Sequence, residues 1–318
     1  MARILTTDEL VADVRSLLDE TNELAIDTDT DILPALNRAQ DFAVDILARK
    51  YEEPILKVYT VTPEADGSIP FPEDILEDRI EKVESKQGTT AYNEVRRISY
   101  RDITPFENQG SGLPYYYYLR DKTVVLLPPS SYPVRIWYLK DPDPLVLKQG
   151  TITKVNEAES YITLDQVGAD LTTESDNLNS YFSVVNYKTG EIKGSFQVKT
   201  ILTGKRIIIK TIPTRTTVLG KTILTSLTSL DITPDDVICT IHGTCIPFLK
   251  KPLSNFLVQY AHAELTRKLG GEGDIEARLL EKLEQQLERT WVGRENTLRV
   301  KKRNRMWGTL TRPYRTKD

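Results

Sequence analysis

The sequence predicts an α+β protein: a helical bundle, made of an N-terminal helix pair plus C-terminal helices, with antiparallel β elements and an inserted small all-β domain. Three observations predict it. Apolar residues recur at helical spacing between Leu10 and Leu47 and again after Pro252. From Pro54 the period changes to two, with aromatic and β-branched residues in the runs. Residues 149–225 hold five short strand-like segments separated by turn signals. These readings place the body at 1–148 and 226–289, the inserted β-barrel or sandwich at 149–225, and an extended basic C-terminal arm at 290–318.

Thr6 and Glu9 fit a capping box, and Leu10, Val14, Leu17 and Leu18 follow at helical spacing. Asn22 to Asp31 is a polar break. A second helix starts near Pro34, a residue suited to a first helical turn, and shows an apolar face of Leu33, Leu36, Ala39, Ala43, Ile46 and Leu47. Each helix carries one apolar stripe, so each must pack on something else. Ile55, Lys57, Tyr59 and Val61 alternate as in a strand. Gly67–Ile75 is a short strand that breaks at Pro70 and Pro72, and Arg79–Ser85 is a further strand.

Two aromatic and β-branched runs, Tyr115–Leu119 and Thr123–Leu127, flank Arg120-Asp121-Lys122 and predict a hairpin. Val134–Lys140 is another strand, ended by Pro142 and Pro144. In the inserted region the strands fall at Thr151–Val155, Ser160–Leu164, Tyr181–Tyr187, Ser195–Ile201 and Arg206–Ile212, with a turn at Lys188–Glu191. After Pro252, Leu253, Phe256, Leu257, Tyr260, Ala261 and Leu265 share a helix face. Gly270-Gly271-Glu272-Gly273 interrupts, and Asp274 caps a last helix bearing Leu279, Leu280, Leu283 and Leu287.

Composition narrows the class. The chain has 318 residues, 39% hydrophobic and 28% charged, enough for a sizeable core. Fifteen tyrosines against seven phenylalanines suit half-buried sheets and interfaces. Two cysteines do not make a disulfide framework, and no apolar run has the length of a signal peptide or a membrane span, which predicts a soluble protein made inside a cell.

Charge is unevenly spread. Residues 290–318 hold nine basic and two acidic residues, a net +7; the whole chain has 42 Lys+Arg and 46 Asp+Glu, which leaves 33 basic and 44 acidic residues, −11, in residues 1–289. The arm intersperses aromatic and apolar residues among its charges. Trp291, Arg294, Arg299, Lys301, Lys302, Arg303, Arg305, Met306, Trp307, Leu310, Arg312, Tyr314 and Arg315 form the candidate partner-binding set. The spacing favours a docking peptide that orders on its partner. The alternative is a nucleic-acid-binding arm held by phosphate neutralisation.

Catalytic and metal chemistry has little to draw on. Cys239, His242 and Cys245, with His262, could approach a tetrahedral metal site, but the C-x2-H-x2-C spacing fits no common zinc pattern; small buried hydrophobes are the better reading of the cysteines. Gly270–Gly273 lacks the Lys-Ser/Thr of a phosphate loop. Glu52 with Glu53, and Asp235 with Asp236, read as solvated turns. Tyr115–Tyr118 could stack bases, but a strand would split the run into two two-tyrosine faces, which favours packing. The expectation is a non-enzymatic protein with no cofactor and no metal.

In order and spacing the chain resembles the head-to-tail adaptor (connector) proteins of tailed bacteriophages. The pieces that carry this are Asp31-Ile-Leu-Pro-Ala-Leu-Asn-Arg-Ala-Gln40 opening the second helix, the turn Ile69-Pro-Phe-Pro-Glu-Asp-Ile75, and Leu113-Pro-Tyr-Tyr-Tyr-Tyr118. Leu126-Leu-Pro-Pro129 and Ile136-Trp-Tyr-Leu139 come next, then Ile232-Thr-Pro-Asp-Asp-Val237 ahead of the terminal helices. The resemblance covers about 1–148 and 226–318, and the 149–225 unit departs from it. It implies a structural protein of the virion neck, between capsid and tail and assembled in the host cytoplasm. Its partners would be further copies in a homo-oligomeric, twelve-copy ring, the portal protein that receives the C-terminal arm, and the next tail component (tail tube or nozzle). Genomic DNA would pass transiently through the lumen, and no membrane is involved. An acidic body suits such a conduit, because a strongly basic lumen would hold the moving genome.

Overall fold

The computed structural model describes residues 5–18, 26–50, 55–87, 91–103, 106, 110–157, 159–174, 177–210, 216–218, 221–224, 227, 231–241, 243–248, 254–269, 281 and 285. The chain divides into two compact units, residues 43–143 and residues 1–42 with 144–318. Both are built on sheets, and the described residues include three α-helices. The expected helical bundle with a small all-β insertion is therefore corrected: the protein is mostly β. An amphipathic stripe says that a helix must be covered on one side, not that another helix does the covering.

The 43–143 unit is a seven-stranded sheet in the order β1-β7-β3-β4-β5-β6-β2. Its strands are β1 (Leu56–Val61), β2 (Ser68–Pro70), β3 (Ile75–Gln87), β4 (Ala91–Arg97), β5 (Tyr116–Arg120), β6 (Thr123–Leu127) and β7 (Val134–Lys140). All neighbours are antiparallel except β4 and β5. The inward face builds one core from Ile69, Val83, Val95, Tyr117, Val124, Leu126, Val134, Ile136 and Tyr138. Strand alternation sends Tyr116 and Tyr118 to the other face, where they pack with Ile103, Val125, Leu127 and Phe106. The tyrosine run thus divides between two faces, and only Tyr115 stays largely exposed, at 60%.

Two tight turns in this sheet place non-glycine residues at positive φ. Asp121 (47°) and Lys122 (59°) close the β5–β6 hairpin in the conformation that matches strand twist. Glu77 (48°) and Asp78 (58°) sit in an excursion of β3: Ile75 pairs with Lys140 and Ile80 with Tyr138, so residues 76–79 stand opposite the single residue Leu139.

The other unit holds β8 (Lys148–Asn156), β9 (Tyr161–Leu164), β10 (Tyr181–Val185), β11 (Ile192–Leu202), β12 (Arg206–Ile209), β13 (Thr216–Val218), β14 (Lys221–Ile223) and β15 (Val237–Thr240). The order β10-β15-β8-β9-β12-β11, with β11 pairing back on β10, closes a six-stranded antiparallel barrel. Bulges in β8, at Gln149 and Thr153, and in β11, at Lys193 and Lys199, supply the bends that closure needs. β11 is shared, its first half pairing with β10 and its second half, beyond the bulge at Val198/Thr200, with β12. Side chains fill the interior: Phe182 and Phe196 face each other across the β10–β11 pair with ring centroids 5.7 Å apart, among Ile152, Ile162, Val184, Ile207 and Ile238. Gly150 in β8 cannot carry a side chain, since a Cβ would lie 2.3 Å from the Gln166 carbonyl oxygen. The turn between β10 and β11 is held by Asn186, whose side-chain oxygen accepts from the N–H groups of Lys188 (2.8 Å) and Thr189 (3.1 Å).

The helices of this unit are α1 (Thr7–Leu17), the start of α2 (Leu33–Lys50), and α3 (Ser254–Lys268). The capping box forms as expected: the Thr6 N–H donates to Glu9 Oε2 (3.0 Å) and the Glu9 N–H to Thr6 Oγ1 (3.4 Å). α1 packs on α3. From α2, Phe42 stacks on Phe256 (6.2 Å) and meets Tyr260 (5.3 Å), while Arg38 pairs with Glu264 at 2.5 Å.

Long-range bonds tie the helices to the chain around residue 145. The Asn37 side chain takes both backbone groups of Leu145, accepting from its N–H (2.6 Å) and donating to its carbonyl (3.2 Å). The Lys148 N–H donates to Asp8 Oδ2 (3.2 Å), and the Thr7 N–H donates to the Cys245 carbonyl (2.9 Å). At Gly243 a Cβ would stand 2.4 Å from the Pro144 carbonyl oxygen, so that position must be glycine for the segments to meet.

Two substitutions test these supports. Phe182→Ala removes a ring from the barrel centre and is expected to cost about 3–5 kcal/mol in guanidinium unfolding. Asn37→Ala leaves the N–H and carbonyl of Leu145, which is 1% exposed, without their side-chain partner, and is expected to cost about 1–3 kcal/mol in the same measurement.

Candidate interaction surfaces

The candidate arm residues, Trp291 through Arg315, lie outside the described residues, as do Glu52, Glu53, His242 and Gly270–Gly273. Other sequence candidates can be placed. Cys239, on β15, and Cys245 are both free and fully buried, packed with Val185, Val237 and Ile246. Cys239 Sγ donates to the Gly243 carbonyl at 3.2 Å. The hydrogen bond with Cys239, together with burial, pushes the Cys245 thiol well above its usual range, so neither geometry nor ionisation favours reactivity there. His262 is on α3, with Nε2 3.4 Å from Thr266 Oγ1. Among the described residues no group of three His, Cys, Asp or Glu side chains is placed to hold a metal ion.

The Asp235–Asp236 pair, read from sequence as a solvated turn, is half corrected. Asp235 is exposed at φ 81°, but Asp236 is 3% exposed. Its Oδ2 accepts from the Thr233 N–H (2.7 Å), Thr233 Oγ1 (3.2 Å) and Lys193 Nζ (2.7 Å). Its backbone carbonyl accepts from the Ile152 N–H (2.7 Å). The carboxylate ties the turn ahead of β15 to Lys193 on β11, while the backbone carbonyl holds β8, a structural role that the adjacency of two acids does not announce.

The most developed polar surface is the outer face of β1, β7, β3 and β4, which the sequence pattern does not single out. Register places Lys82 beside Trp137, Glu84 beside Arg135 on one side and Glu94 on the other, and Lys86 beside Tyr92. Trp137 donates its indole N–H to Glu84 Oε2 (2.9 Å), Lys82 donates to Glu84 Oε1 (2.6 Å), and the Arg135 guanidinium covers the Tyr92 ring at 3.7 Å. Val58, 45% exposed, continues the face onto the edge strand β1 beside Trp137. Arg96 extends it on β4 and is exposed. Burial opposes ionisation of Glu84, but the hydrogen bonds from Lys82 and Trp137 and the charges of Lys82 and Arg135 outweigh it and hold the carboxyl below its usual range. The signal lies in the outward positions Arg135 and Trp137 of a strand whose inward positions are Val134, Ile136 and Tyr138. On the inward side Tyr138 donates to Asp74 Oδ1 (2.7 Å), and burial and this bond push its hydroxyl pKa up.

Residues 5–167, just over half of the sequence, match the family described as SU10 adaptor protein. The chain belongs to that family of phage adaptors, a structural and not an enzyme family whose members interact with other virion components. No curated protein matches the sequence. Among the described residues, no helix is long and apolar enough to cross a membrane. The matched segment takes in α1, α2, the whole seven-stranded sheet and the β8–β9 hairpin; β10–β12, β15 and α3 lie beyond it.

The Glu84 cluster gives a pH test. A carboxylate with a lowered folded-state pKa adds stability above its unfolded value of about 4.3, and this is lost as pH falls through the folded value. Glu84→Gln is expected to be less stable than the parent near neutral pH, with the gap closing in acid. Urea unfolding followed by Trp fluorescence over roughly pH 3 to 7 checks it.

Proposed function

We propose that this adaptor forms the head-to-tail connector ring of a tailed phage, joining the portal to the next tail component, tail tube or nozzle. Twelve copies surround a lumen through which the genome passes, and the ring is assembled in the host cytoplasm and carried in the virion neck. Residues 290–318 form the arm that docks on the portal.

The observation that carries the reading is the contrast between a +7 arm and a −11 body, in a chain that belongs to a phage adaptor family. Within the arm, Trp291, Met306, Trp307, Leu310 and Tyr314 alternate with the charges, which suits pockets on a protein surface better than a phosphate backbone. An acidic body leaves the DNA path free of strong phosphate binding. The second reading, a nucleic-acid-binding protein with a basic arm, is favoured by the +7 alone.

Purified full chain and a chain lacking 290–318 are mixed with the phage's portal rings, and binding is measured by sedimentation. The truncation is expected to weaken binding by at least about a hundredfold, as loss of clustered aromatic and Arg anchors does. Equal binding by the two chains refutes the docking role. Tight binding of duplex DNA by the full chain, falling steeply with salt and lost on truncation, favours the second reading instead.

A further inference from the structure

We propose that the outer face of β1, β7, β3 and β4 is a socket for the acidic 73–78 segment of a second copy, making a heterologous contact between sheet units. The proposal deepens the ring reading and rests on it.

The socket is an island of positive charge on an acidic chain. Lys82, Lys86, Arg96 and Arg135 face outward there against Glu84 and Glu94, and Glu84 is already taken by Lys82 and Trp137. Around the charges lie Trp137 and Tyr92, residue types that anchor protein interfaces, and the exposed Val58. The arm cannot be the occupant, because its +7 would be repelled.

Nucleic acid fits poorly. The Tyr92 ring is covered by Arg135, so it is not free to act as a stacking platform.

The complementary surface is on the same unit. Glu73, Glu77 and Asp78 are exposed on the turn before β3 and on the tip of its excursion. Asp74 between them is held inward by Tyr138 and Lys140 (3.7 Å), which separates the structural carboxylate from the exposed ones. Socket and acidic segment are different patches of one chain. A contact between them in two copies therefore leaves one of each free and propagates around a closed ring.

The test uses full-length chain without portal, so its failure is separate from failure of the docking arm. Socket variant Lys86→Glu/Arg96→Glu and acidic-segment variant Glu73→Lys/Glu77→Lys are compared with the parent by sedimentation velocity over a concentration series. Each variant alone is expected to self-associate at least about tenfold more weakly than the parent. An equimolar mixture is expected to recover association, because each reversed patch then meets its reversed complement. Unchanged association of either variant, or no recovery in the mixture, overturns the proposal.

Hydrogen exchange on the parent at low and high concentration reads the same contact without any substitution. Slower exchange in both 73–78 and β4 at high concentration is expected. Exchange that does not change with concentration, a parent that stays monomeric, or slowing of β4 only when duplex DNA is added each overturns the proposal.

Discussion

Closure of the six-stranded barrel by β15 is the constraint on which the surrounding structure depends. β8 and β10 do not pair with each other. The four residues Val237–Thr240 stand between them and bond to both. A sheet closed in this way has no exposed ladder at that position, and the β10–β11 pair seals the other side. Placing β15 also places the segment C-terminal to it: Gly243 against the Pro144 carbonyl, Thr244 bridged to Leu145, and Cys245 accepting from the first turn of α1. Asn37 then holds Leu145 from α2. The start of the chain, the return from the seven-stranded sheet and the segment before α3 are thus fixed through one short strand.

How much of this could be read from the sequence varied by element, for physical reasons. β7 showed itself because inward and outward positions differ in polarity, as in Val134-Arg-Ile-Trp-Tyr-Leu-Lys140; the β5–β6 hairpin and the five strands of 149–225 did so as short aromatic and β-branched runs bounded by turn residues. α1 and α2 did so through the Thr6–Glu9 capping box and a regular apolar stripe. β4 was missed because only Val95 of Ala91–Arg97 is buried, so its pattern looks like that of a solvated loop. β15 was missed because it is four residues long, buried throughout, and set between Pro234 and Gly243, where punctuation outweighs any period. The bundle was expected because helical stripes bracket the chain, yet a stripe does not name its partner. The surface now most informative, around Trp137 and Arg135, depends on cross-strand register, and local pattern does not encode register. The basic C-terminal segment was legible only as composition.

The family match meets the architecture at an instructive place. It ends at residue 167, after β9, partway round the barrel. The portion inside the match contributes a hairpin, β8 and β9, and the portion outside contributes the other four staves. A hairpin with a buried face cannot stand by itself in water. The matched segment therefore carries apolar surface, at Ile152, Ile162 and Leu164, that is covered largely by residues beyond it, among them Phe182, Phe196, Ile207 and Ile238.

Barrel closure also orders events in time. Roughly fifty residues separate Val185, the end of β10, from Val237, the first residue of the strand that covers its edge. A chain emerging from the ribosome at roughly 5–20 residues per second carries an open-edged sheet for several seconds before β15 arrives. During that interval the edges of β8 and β10 are templates for any neighbouring strand, including those of other nascent copies on the same message. That interval is the stage of synthesis at which the barrel is most open to misassociation.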